Sequence, residues 1–243
     1  MSSSDSASRP GGPDPIRVLP GRFRAVVFDL DGLLLDTEPG WHRAEAELLR
    51  RHGAAYTEAD ETATLGWSLE ATIRRYLPRL GLGEEAMPRL SSELLELVEG
   101  EYAGEVASRP GAGELVQALR GRVPLAVASN TARALVLAAL RSAPFGNAFD
   151  AIVSAQEVAH PKPAPDIYLE ACRRLGVEPS TALALEDSTS GIAAAKAARL
   201  AVIAVPQWPD VDTSAADHEV ASLHELVGRV VGPGPAGPRS IGS

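Results

Sequence analysis

The chain of 243 residues contains a single cysteine, Cys172. One thiol cannot close an intramolecular disulfide or build a cysteine-based zinc site, and this scarcity suits a reducing compartment, so the cytoplasm is expected. Basic residues are also short: 23 Lys and Arg against 32 Asp and Glu give a formal net charge of −9. That balance argues against nucleic acid or an anionic membrane as a partner and leaves room only for a local basic pocket. No window reaches the ~18 uninterrupted apolar residues of a membrane span, and the first twenty residues lack the apolar core of a secretory signal. There is no repeat of fixed period and no lipidation motif. Gly111-Ala112-Gly113 lacks both the glycine spacing and the preceding strand of a dinucleotide fingerprint.

What is present is an ordinary globular composition, 45% apolar and 23% charged. Residues 1–21 and 232–243 are rich in Ser, Pro and Gly, with too little apolar matter to repay ordering, and are expected to be disordered tails. Between them, short apolar runs alternate with helix-period segments. The runs are Phe23 to Phe28, Val123 to Ala128, Ile152 to Val153, Leu183 to Leu185 and Val202 to Val205. The helical segments are Gly113 to Arg120, Thr131 to Arg141, Asp166 to Leu175 and Gly191 to Arg199. Runs that are apolar on successive residues predict strands covered on both faces, hence an α/β fold with a doubly wound, Rossmann-like parallel sheet. Residues 37–107 interrupt the alternation with helical periodicity alone, as in Leu94, Val98 and Tyr102. They read as a helical cap inserted after the first strand, which divides the α/β core into residues 22–36 and 108–231. So placed, the cap should lie over the carboxyl end of that strand, where ligand crevices of open α/β sheets form.

The chemistry gathers at predicted strand ends. Asp29 and Asp31, in Phe28-Asp29-Leu30-Asp31-Gly32, follow the first run and point the same way in extended chain. Two such carboxylates either share a proton or need a cation, although an isolated Asp-x-Asp-Gly is most often a plain turn. Leu185-Glu186-Asp187-Ser188 brings a second acidic pair to the same edge, and four converging carboxylates with no histidine cluster suggest Mg²⁺. The same acids and Ser188 also suit a helix start. Ser129-Asn130-Thr131 ends a third strand with groups that could hold a phosphate or simply cap a helix. Lys162, between Pro161 and Pro163, would be either a solvated charge on a stiff loop or an ammonium held over an anionic site.

Asp29-x-Asp31-Gly32, Ser129, Lys162 and Glu186-Asp187, in this order and each after its expected element, resemble the haloacid dehalogenase superfamily of phosphatases and phosphomutases. The likeness spans roughly Phe23 to Pro206, with Leu33 to Pro39 and Lys162 to Tyr168 matching closely. A cap inserted after the first motif is similar to the subgroup containing sugar-phosphate phosphatases and β-phosphoglucomutase. The resemblance implies a phosphomonoester hydrolase in which Asp29 is the nucleophile that forms an aspartyl-phosphate. Asp31 would be the acid and base, offering a metal only its backbone carbonyl. Ser129, Asn130 and Lys162 would hold the phosphoryl oxygens, and Mg²⁺ would be bound by Asp29, Asp31 and Asp187 with Glu186 in support.

A mutase is the alternative, but the histidine and arginine the resemblance implies for it fall on Trp41 and Leu69, with His42 and Arg74 nearby. The stretch Glu38-Pro39-Gly40-Trp41, with Arg43-Ala44-Glu45 following, looks more like hexose- and hexitol-phosphate phosphatases. A dehalogenase would not need Asp31, and a phosphoacceptor receiver module would not carry the inserted cap. A retired, phosphate-binding regulatory relative is the non-enzyme alternative. Small phosphorylated metabolites are the expected partners, sugar or polyol phosphates ahead of nucleotides and flavin mononucleotide, and the expected state is monomeric. Specificity should come from cap residues, with Trp41, Trp67 and Arg74 as candidates. Cys172 reads as core packing, and His218 and His224 receive no function.

Overall fold

The computed structural model describes residues 23–64, 69–104 and 106–230; the expected tails lie outside these residues. Six strands, β1 (Ala25–Phe28), β2 (Leu125–Ser129), β3 (Ala151–Ser154), β4 (Ala182–Glu186), β5 (Ala201–Ala204) and β6 (His218–Glu219), form one parallel sheet in the order β3-β2-β1-β4-β5-β6. The expected α/β architecture is therefore present, and β1 lies at the centre of the sheet. Its neighbours on the two sides are β2 and β4, so the chain reverses its direction of travel across the sheet here, which opens a crevice at the carboxyl end.

Side-chain alternation sorts the sheet into two unlike faces. Val26, Phe28, Leu125, Val127, Leu183 and Leu185 face one way, into a cluster with Leu115, Val116, Leu135 and Leu226. Those partners come from α5 (Ala112–Leu119), α6 (Arg133–Ser142) and α9 (His224–Val230). The opposite face is mostly alanine, namely Ala25, Ala126, Ala128, Ala182, Ala184 and Ala204. Small side chains there let α7 (Asp166–Leu175) and α8 (Thr189–Ala197) lie close to the strands, with Ile167, Tyr168, Ala171 and Cys172 turned inward. The thiol is thus core, as its helical spacing suggests, and burial pushes it up to about 11. Gly176, at φ +67°, ends α7 in the left-handed conformation and lets Val177 N–H return to the Cys172 carbonyl at 3.1 Å.

After β1 the chain enters four helices, α1 (Glu38–Arg51), α2 (Glu58–Thr64), α3 (Leu69–Leu80) and α4 (Met87–Tyr102). No strand lies among the described residues of this segment, as its periodicity requires. Leu90, Leu94, Val98 and Tyr102 recur at three- and four-residue spacing on α4, and all are buried against α1 and α3 or against core helix α6. At the usual ~1.5–3 kcal/mol per buried large side chain, this stripe is what holds the cap helices together. Where the chain leaves and re-enters the core, the two segments run side by side. Asp36 N–H donates to the Ala107 carbonyl at 2.8 Å, Arg109 N–H to Leu34 at 2.9 Å, and Leu35 bridges Ser108 in antiparallel fashion.

Candidate active site

Three strand ends and one loop supply the site. The β1 ladder runs one residue past the strand, with Asp29 N–H donating to the Leu185 carbonyl at 3.0 Å, and this fixes Asp29 beside the end of β4. Gly32, at φ +81°, then turns the chain, and a Cβ there would strike the Asp187 carboxylate. Only glycine permits this approach of the first turn to Asp187. Ser188 caps α8, its Oγ accepting from Gly191 N–H at 3.1 Å, which orients the acidic pair immediately before it.

Lys162 is buried and inserts its ammonium between Asp29 and Glu186, pairing with Asp29 Oδ1 and lying 2.6 Å from Glu186 Oε1. Its loop is fastened to the end of β2 by Asn130, whose Oδ1 accepts from Lys162 N–H at 2.9 Å and whose Nδ2 donates to the Lys162 carbonyl at 3.2 Å. Two carboxylates keep the lysine charged, with a pKa above its ordinary value despite burial. Asp29 is displaced in the opposite sense to a salt-bridged surface acid. Burial, reinforced by the charges of Glu186 and Asp31, outweighs Lys162 and pushes its carboxyl up to about 8. Asp187 is likewise held well above the ordinary carboxylate range by burial and by Asp29 and Glu186.

Asp31 stands on the opposite side of the crevice and is held by hydroxyls. Thr37 Oγ1 donates to its Oδ1 at 2.9 Å, while Ser129 Oγ and Thr131 Oγ1 both donate to Oδ2 at 2.8 Å. Two carboxylates two residues apart thus sit in different surroundings, one against a buried ammonium and the other in a ring of neutral donors.

Two of the expected site residues are engaged within the protein. Ser129, fully buried, spends its hydroxyl on Asp31 and accepts from Thr131 N–H at 3.0 Å, so it faces the aspartate; Asn130, Thr131 and Lys162 line the open pocket instead. Glu186 is fully buried and both of its oxygens are taken. Oε1 receives Lys162 and the Tyr168 hydroxyl at 2.6 Å each, and Oε2 receives the N–H groups of Asp187 and Ser188 and the Ser188 hydroxyl. Both oxygens thus accept hydrogen bonds from within the protein, and one of them holds Lys162. A Cβ at Gly191 would strike the Glu186 carboxylate, so α8 can pack here only because that residue is glycine.

The remaining donors fit a hard divalent cation. Asp29 and Asp187 present two carboxylates at neighbouring strand ends, and the Asp31 carbonyl belongs to the turn that follows Asp29. Among the described residues no three His, Cys, Asp or Glu side chains form a closed metal cluster. One or two carboxylates completed by water and substrate phosphate is the pattern Mg²⁺ prefers.

Over these groups lies a pocket of about 370 Å³, walled by the sheet edge below and by cap residues above. Trp41, His42 and Glu45 of α1 and Leu69 and Thr72 of α3 reach it, as do Trp208 and Asp210 from the segment after β5. Trp41 is thus where a specificity residue should be. Arg74 instead pairs with Glu84 on the surface, and Trp67 lies outside the described residues. Thr37 and Glu45 fall within stretches that carry the resemblance, whereas Trp208 carried no sequence signal that singled it out.

Comparison with known proteins agrees with this geometry. Hexitol phosphatase B of Escherichia coli K12 is 31% identical over 220 residues, covering 86% of this chain and 97% of that protein. Fructose-1-phosphate phosphatase YqaB of the same organism is 33% identical over 184 residues, 76% of this chain and 97% of that protein. The fold matches the crystal structure of CbbY from Rhodobacter sphaeroides in complex with phosphate, with a TM-score of 0.75 and 32% identity over 84% of this chain and 96% of that one. No described helix is long and apolar enough to cross a membrane. The model of the haloacid dehalogenase-like hydrolases matches residues 23–199, and the chain belongs to that family.

Proposed function

We propose that this hydrolase is a Mg²⁺-dependent phosphatase of small phosphomonoesters, sugar or polyol phosphates, working through an aspartyl-phosphate. The observation that carries this reading is the contrast between Asp29, buried against Lys162, and Asp31, ringed by three hydroxyls. A carboxylate oxygen of Asp29 attacks phosphorus as the bond from phosphorus to the ester oxygen breaks, and Asp31 delivers its proton to the departing alkoxide. Water then attacks the same phosphorus and yields a proton to Asp31, and the bond to Asp29 breaks, restoring both side chains. Thr37, Ser129 and Thr131 hold Asp31 in one orientation through both transfers. Lys162, fixed by Glu186 and Asn130, attracts the phosphoryl oxygens throughout. A bound divalent cation, held by Asp29, Asp187 and the Asp31 carbonyl, supplies further neutralisation of phosphate charge.

The names of the relatives, hexitol phosphatase and fructose-1-phosphate phosphatase, support a phosphorylated carbohydrate as substrate. A mutase is disfavoured because Trp41 and Leu69, the positions expected to carry its histidine and arginine, both line the pocket. Phosphate release from a panel of phosphomonoesters, with Mg²⁺ or with chelator, tests the reading. Metal-dependent release is expected from wild type and none from Asp29→Asn with its fold retained. Full activity in that variant would overturn the nucleophile.

A further inference from the structure

The pocket has two chemically different ends. At the sheet, Lys162 is the only Lys or Arg among the described lining residues, and it lies with the acids that serve the phosphoryl group. At the cap, the polar lining includes Thr64, Thr72 and Glu45 beside Trp41, His42 and Leu69, and the carboxylates of Glu38 and Asp210 also line the pocket. Glu45 is the unusual member. It is 3% exposed, yet it lines the pocket, so its small exposed surface faces inward. Tyr76, fully buried behind it, donates its hydroxyl to Glu45 Oε2 at 2.6 Å, and the Thr64 hydroxyl lies 3.1 Å from the same oxygen. Both partners are neutral and both take Oε2, which leaves Oε1 outside their grip. Sinking a carboxylate in a cap is costly, and two oriented hydroxyls only partly offset the loss of water. The arrangement makes chemical sense when something in the pocket supplies a further donor.

We infer that Glu45 is a specificity-determining residue: Oε1 accepts a hydrogen bond from a hydroxyl on the substrate's carbon chain, and its charge excludes substrates that carry a second anionic group there. This rests on the phosphatase reading above and deepens it, restricting the substrate to monophosphates of otherwise neutral polyols and sugars. A second phosphate or a carboxylate at the cap would meet Glu45, and among the described lining residues there is no Lys or Arg at that end to compensate.

The test is steady-state kinetics of the full chain with Mg²⁺ on sorbitol-6-phosphate, 6-phosphogluconate and p-nitrophenyl phosphate, which has no hydroxyl to read. In Glu45→Gln, the ratio of kcat/KM for sorbitol-6-phosphate to that for p-nitrophenyl phosphate should fall about tenfold, through KM, as expected for losing a hydrogen bond to a charged acceptor. 6-Phosphogluconate should gain on sorbitol-6-phosphate. Tyr76→Phe keeps the charge but removes one of the groups that orient it. It should raise the KM for sorbitol-6-phosphate a few-fold without favouring the acid, and it provides a second reading should the first variant fold poorly. Ratios within about twofold of wild type, or a loss shared equally by all three substrates, would overturn the assignment alone. A wild-type protein that releases phosphate from none of them would overturn the phosphatase reading and this inference with it.

Discussion

The raised carboxyl of Asp29 ties stability to pH and to metal in a direction opposite to that of most salt-bridged acids. In the folded chain this group holds its proton up to about pH 8, whereas the unfolded chain releases it near 3.8. Between those values the folded state binds more protons than the unfolded one, so stability falls as pH rises through the window. At about 1.4 kcal/mol per pH unit the ceiling is roughly 6 kcal/mol, equivalent to a drop in Tm on the order of 10–20 °C for a protein of this size. Asp187, displaced in the same direction, adds to the slope. A divalent cation competes with the proton for these oxygens, so stabilisation by Mg²⁺ should be slight at pH 5 and grow towards pH 8. Thermal unfolding of wild type and Asp29→Asn, in chelator and in Mg²⁺, isolates the effect from other titrating groups. In chelator the two should unfold together at pH 5, with the variant more stable at pH 8; Mg²⁺ should erase or reverse that gap. A difference that does not vary with pH, or equal stabilisation by Mg²⁺ at both ends, would refute the argument.

Three further outcomes follow from the same geometry. Lys162→Met leaves the fully buried Glu186 without its cation and should cost about 3–5 kcal/mol as well as activity, measured by urea unfolding at neutral pH; a loss below about 1 kcal/mol would show that the Lys162–Glu186 pair is not held as described. Gly32→Ala forces a side chain onto Asp187 from a left-handed backbone, so the Mg²⁺ concentration giving half-maximal activity should rise several-fold; an unchanged metal requirement would separate Asp187 from the metal site. Thr131→Val removes one of three donors to Asp31 and should lower kcat about tenfold with little change in KM, and a pure KM effect would place Thr131 on the substrate instead.

The sequence was legible where a local rule was enough. Asp29, Asp31 and Asp187 could be read because each follows an apolar run, and a parallel sheet brings all such ends to one edge; Lys162 stood out instead by its place between two prolines. Strand limits shifted by a residue or two: β1 starts at Ala25 rather than Phe23, and β2 extends to Ser129. β6 escaped because two polar residues at a sheet edge, His218 and Glu219, carry no apolar signal. The partners of Glu186 also stayed hidden. An acid beside another acid suggests metal, and only the packing of Tyr168 and Lys162 against β4 shows that its oxygens are already taken. The surroundings of Glu45 were equally hidden, since Thr64 and Tyr76 reach it from helices 19 and 31 residues further along. Such long-range meetings leave no periodic trace.

The paired crossings between core and cap have a mechanical consequence. Both connections run through one short ribbon, Leu34 to Asp36 beside Ala107 to Arg109, so the cap is attached along a line rather than at two separated points. A body mounted this way has one soft rotation, about that line, and resists twisting about the others. Thr37 is the next residue out from the ribbon, and its hydroxyl is bonded to Asp31. A swing of the cap about that line would therefore act on a donor to Asp31, and would couple the width of the pocket mouth to the alignment of the aspartate proposed as acid and base.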